Sequence, residues 1–208
     1  RSAVVEMKSG HYNRHDHQHM DAGAFQIFYR APLAVDIGVY GHWGGHYDFT
    51  FAKRTISHNA MLIYDPEEKF AVPGNDGGQR FIKTMPWTIR QVIDHPEIHQ
   101  AGRHVARYVG PEADRPLFSY IKGDLASAYS SHKVQAYERS FVFTRLDHPE
   151  TPALLIVYDH VTSTRPEYRK YFLLNTIARP EFRNNTIRVE NALSGGKPGE
   201  LFVTTLLP

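Results

Sequence analysis

Ala24-Phe25-Gln26-Ile27-Phe28-Tyr29, the turn Arg30-Ala31-Pro32 and the run Leu33-Ala34-Val35-Asp36 together decide the fold class. Phe25, Ile27 and Tyr29 share one face of an extended segment, because side chains alternate along a strand. The turn carries a proline and ends the segment; a second apolar run follows at once. The same pattern recurs down the chain. Residues 60–64, 140–144, 153–159, 171–175, 186–189 and 201–205 are short and rich in β-branched or aromatic residues. Turn signals separate the runs at 41–45, 73–78, 148–150 and 194–196. One short helix is expected within 123–131. The polar stretch 90–114, rich in His and Arg, reads as a long excursion out of the sheet. Many short strands at even spacing predict an all-β antiparallel β-sandwich.

The bulk composition narrows the function classes. The chain has 208 residues, 41% hydrophobic and 22% charged, as a globular domain does. A formal charge of +2 gives no strong pull toward nucleic acid. No run approaches the length of a membrane helix, so no membrane span is expected. There is no cysteine, which excludes disulfides and thiolate metal sites. Any zinc site must then be built from His, Asp and Glu. Residues 1–208 read as one sandwich domain. Arg1 to Met7 looks like a strand already in progress, and Leu206-Leu207-Pro208 follows a strand-like run. The domain is therefore expected to be truncated at both ends.

The chemistry concentrates near the start. Seven of the thirteen histidines lie before residue 59. His17-Gln18-His19 places two imidazoles at i and i+2, on one face if the segment is a strand. Asp36 closes an apolar run, and a carboxylate there needs a partner. His58 follows Arg54-Thr55-Ile56-Ser57 and precedes another strand. Two imidazoles and a carboxylate suit Zn2+, with a fourth position left for water or substrate. His19, Asp36 and His58 are the expected metal ligands. His17, on the same face, is assigned to substrate, where an imidazole can take or give a proton near neutral pH. Tyr40 and Tyr47 flank a Gly- and His-rich loop, where a tyrosine can act as acid or base if cations lower its pKa. Trp43 in that loop offers a ring for a sugar to stack on. Arg30, Lys53 and Arg54 offer cations for carboxylate or sulfate.

The block His17-Gln18-His19-Met20-Asp21-Ala22-Gly23-Ala24-Phe25, with Asp36 and His58-Asn59 downstream, resembles the heparinase II/III-like polysaccharide lyases, and more closely the heparinase II branch. The likeness is strongest over residues 10–70 and continues more loosely, through Phe118-Ser119-Tyr120 and Tyr158-Asp159-His160-Val161. The resemblance implies an N-terminal α/α toroid packed on a C-terminal sandwich, with acidic, uronate-containing substrate such as heparin or heparan sulfate in the cleft between them. It puts the family's zinc ligands on His19, Asp36 and His58, its sandwich histidine on His17 and a cleft tyrosine on Tyr40. It implies that the zinc shapes the cleft floor and that the enzyme is periplasmic or secreted. The toroid, with further catalytic groups, would come from a part outside this sequence or from a companion chain. The alternative is a non-catalytic carbohydrate-binding or structural sandwich with a structural zinc. A cupin-like metal enzyme ranks lower, because Asp21 follows the His-x-His pair too soon for the acidic ligand that fold uses.

Overall fold

The structure is a computed structural model that describes residues 2–12, 17–39, 41, 44–81 and 88–206. It is an all-β fold of the sandwich type, built from antiparallel strands. Strands β1 (Val4–Met7), β2 (Phe25–Tyr29) and β3 (Ala31–Ala34) form one sheet in that order. Strand β4 (Met61–Tyr64) returns much later in the chain to pair with β9 (Arg169–Phe172). Between them a meander of four strands forms the largest sheet: β5 (Arg103–Gly110), β6 (Phe118–Asp124), β7 (Val134–Arg145) and β8 (Ala153–Ser163). Strands β10 (Glu181–Arg183), β11 (Thr186–Asn191) and β12 (Gly199–Thr204) form a second three-stranded sheet.

The β8 strand alternates along its whole length, and β7 alternates from Tyr137 to Phe141 after a bulge near Val134. Leu154, Ile156, Tyr158 and His160 face outward, while Leu155, Val157, Asp159 and Val161 turn in. The inward face meets the β2 and β4 region: Phe25 and Phe141 pack edge to face, with centroids 5.6 Å apart. The main core gathers Met20, Met61, Ile63, Leu125, Tyr129 and Tyr137. The last sheet docks on the β2–β3 hairpin through Asn191 Nδ2, which donates to Pro32 O at 2.8 Å. Gly199 is required at this seam. A Cβ there would stand 1.8 Å from Tyr29 O, inside any allowed contact.

Several local expectations need correction. The helix expected at 123–131 is a single 3-10 turn, Ala126–Ala128. Leu125, Ala128 and Tyr129 all turn into the core, and Asp124 Oδ1 takes the Ala126 N–H, which holds the turn short. The stretch 90–114 is no simple excursion, since it contains β5. That strand is exposed on both faces except at Gly110, so it lacks the apolar alternation that marks a half-buried strand. The α-helix lies instead at Ile89–Asp94, opened by a Thr88–Gln91 capping box.

Candidate functional site

Three connections meet beside the β1–β3 sheet: the loop before β2, the exit of β3, and the turn that leads into β4. Main-chain bonds stitch them together. Met20 N donates to Lys53 O at 2.8 Å, and Ile37 N donates to Ser57 O at 3.0 Å. Thr55 Oγ1 donates to Met20 O and accepts from Gln79 N, both at 2.8 Å. Gln79 in turn grips Ala22 through both its N–H and its carbonyl, at 2.9 and 2.8 Å. The loop holding His19 is thereby fixed against the turn holding His58.

His19, Asp36 and His58 come together. His58 is fully buried, with Nδ1 3.0 Å from Asp36 Oδ1. Its other nitrogen, Nε2, lies 3.2 Å from His19 Nδ1. Two donors on a tetrahedral zinc, each about 2.0–2.1 Å from the ion, lie roughly 3.3 Å apart, so either separation alone suits a pair of neighbouring ligands, although the two use different nitrogens of His58. The Asp36–His58 pair is close but not aligned as a hydrogen bond. Asp36 Oδ1 and His58 Nδ1 are buried with no hydrogen-bond partner among the described residues. Such orphaned acceptors are costly unless something else binds them. That donor chemistry fits a metal ion. The three donors nevertheless form a row rather than a triangle, because His58 offers one nitrogen to each neighbour. Among the described residues no three His, Asp or Glu side chains stand ready to hold an ion as they lie. All three would converge only if the His58 ring made a half-turn, which exchanges its nitrogen and carbon positions.

The electrostatics favour neutral imidazole. Burial first, and then the facing His58 ring, hold the His19 pKa below the ordinary 6.5. A metal ligand must be unprotonated, so His19 stays competent to lower pH than a free histidine. The same shift sets a stability dependence. In the unfolded chain His19 protonates near 6.5, while in the fold it resists. Stability is therefore expected to be full above that value and to fall as pH drops through 6.5 toward the lowered folded pKa. Urea midpoints across pH 7.5 to about 5 check this, with His19→Gln expected to flatten that part of the curve.

The strand expected to carry His17 and His19 is a loop. His17 has φ of 66°, in the left-handed region, which breaks the extended alternation. Gln18 is consequently turned inward and buried, while His17 is exposed and His19 half-buried. Asp36 lies two residues past the end of β3 rather than closing it. Tyr47 is exposed beside these loops, at the start of a π-helical turn Asp48–Ala52, and packs on Phe51. Tyr40 and Trp43 lie outside the described residues.

The cations fare differently. Lys53 and Arg54 are buried, not presented to solvent. Lys53 pairs with Asp48 at 3.2 Å. Arg54 pairs with Asp76 and lies over the Phe70 ring at 4.3 Å. Their partners are supplied by the fold, so a polymer does not reach them. Arg30 sits at the β2–β3 turn, the end of β3 away from Asp36, where it stacks on Tyr29 and donates to Pro198 O. The six residue steps from Arg30 to Asp36, largely extended, span about 20 Å. Asn59 is a residue the sequence reading quoted but gave no role; its position directly after His58 was the available signal.

Fold and site together define an all-β sandwich with a His–His–Asp row, buried at His58 and half-buried at its two ends, at the meeting point of three loops. Compared with models of known protein families and with curated proteins, the chain matches none. No helix among the described residues is long and apolar enough to cross a membrane.

Proposed function

We propose that this chain is the sandwich part of a polysaccharide lyase that cuts uronate-containing glycans by β-elimination, with zinc held by His19, Asp36 and His58. One observation carries the reading. Three residues chosen from the sequence, separated by 17 and 22 positions, lie in one row at ligand-like spacing with two orphaned donor atoms among them. When bound, the ion would neutralise Asp36 and tie the three loops into a rigid cleft floor.

The chain's own residues then carry what the elimination needs on this side of the cleft. The reaction removes the proton on C5 of the uronate and breaks the bond from C4 to its oxygen. A base must take the proton and an acid must supply one to the leaving oxygen. His17 projects from the fixed loop two residues before His19 and is exposed, so its imidazole can meet a bound sugar. Tyr47 offers an exposed phenol on the neighbouring loop. In this reading the group that offsets the uronate carboxylate, and the second acid–base residue, come from the toroid. The setting would be periplasmic or secreted, where such polymers occur.

The test is to incubate the protein, with its toroid partner supplied and zinc present, with heparin, heparan sulfate, other uronate glycans and alginate. Ultraviolet absorbance of the new C4–C5 double bond is expected to rise on one polymer. Polymer binding without any rise would replace the lyase with a carbohydrate-binding sandwich.

A further inference from the structure

We infer that Asn59 is the positioning residue of the metal pair, an inference that rests on the zinc reading above. Neither Asp36 nor His58 is touched by its side chain. It works on their neighbours. Asn59 is fully buried, and its Nδ2 donates to Phe25 O at 2.8 Å and more weakly to Val35 O at 3.4 Å. Its Oδ1 accepts from Asn175 N, and Asn175 O accepts from Val35 N at 3.1 Å. Asn175 Nδ2 reaches back toward Ile56 O at 3.4 Å. Ile37 N donates to Ser57 O.

These bonds bracket both ligands. Asp36 lies between Val35 and Ile37, each pinned by its main chain. His58 lies between Ser57 and Asn59, each pinned likewise. Two amides, 116 positions apart, thus hold one carboxylate against one imidazole. The fourth side is closed from β7, where Arg139 Nη1 donates to Asn59 O at 3.1 Å. A ligand pair whose main chain is held this way needs only its side chains to turn when the ion arrives, and loss of outer hydrogen bonds commonly weakens metal binding by about 10–100-fold.

The experiment titrates Zn2+ into wild type and Asn59 variants against a chromogenic competing chelator, under conditions where each is folded by circular dichroism. Asn59→Ala is expected to weaken zinc by about 10–100-fold. Val189→Ala, a buried truncation in β11, is expected to lower the melting temperature and leave zinc affinity unchanged. Asn59→Asp keeps the volume and the acceptor for Asn175 N, and loses the donor to Phe25 O. Its added negative charge alone would tighten a cation, so weaker binding by that variant reads lost positioning, even if Asn59→Ala does not fold. Wild-type zinc binding with equal or tighter binding by Asn59→Asp overturns this inference alone. Absence of zinc binding by folded wild type overturns the metal reading and this inference together.

Discussion

Arg139→Ala is expected to destabilise the fold by about 3–5 kcal/mol, enough to remove most of the stability of an ordinary domain. Arg139 is fully buried on the inward face of β7. Its Nε and Nη2 make a two-pronged contact with Asp159 on β8, at 2.6 and 2.8 Å. Its Nη1 donates to Gly23 O and Asn59 O, at 2.8 and 3.1 Å. One guanidinium therefore joins the four-stranded sheet to both loops of the candidate site. Truncation leaves Asp159 charged and buried, and two main-chain carbonyls without a donor. The penalty is mostly that uncompensated burial rather than the worth of the pair itself. The double variant Arg139→Met with Asp159→Leu separates the two. It is expected to recover much of the loss in urea denaturation, because no charge then remains buried. Arg139→Lys keeps the charge but not the planar fork, and is expected to fall between. A single Arg139→Ala variant with an unchanged urea midpoint would show that the bridge is dispensable.

The readable parts of this chain were those whose burial shows in local pattern. Strands β2, β4, β8, β11 and β12 alternate or are apolar throughout, and the sequence reading placed them within a few residues. Strand β5 could not be read that way, since Arg103, His104, Val105 and Arg107 are all exposed and nothing alternates. Its existence depends on pairing with β6, a tertiary fact. The helix at Ile89–Asp94 did leave a signal in the capping pair Thr88-x-x-Gln91, which lies outside the expected helix at 123–131. For the site, residue types pointed to His19, Asp36 and His58, and the fold brings these three side chains side by side. The backbone under His17 was not legible, because a left-handed residue is set by the loop's overall path. Buried cations were the other blind spot. Arg54, Lys133 and Arg139 each find an acid or a set of carbonyls far along the chain, while Lys53 finds Asp48 five positions back. Local composition treats a charge as surface because unpaired burial is forbidden, and the partner that permits it is not local.

His17→Ala is expected to reduce lyase turnover by about 10²–10⁴-fold, the usual contribution of a positioned acid–base group, with zinc content unchanged. The reason lies in how the loop divides its two histidines. His19 is half-buried and faces His58, whereas His17 is exposed and stands outside the row. His58→Ala gives the opposite signature, with loss of bound zinc and a lower melting temperature, since its ring is fully buried. The backbone supplies a sharper test. At φ of 66° a residue with a Cβ is strained, by about 1–2 kcal/mol relative to glycine. His17→Gly relieves that strain where His17→Ala does not, so the glycine variant is expected to melt above the alanine variant, with turnover lost in both. Turnover retained by His17→Gly, with zinc bound and the fold intact, would remove His17 from the reaction and move the acid–base work to Tyr47 or to the toroid.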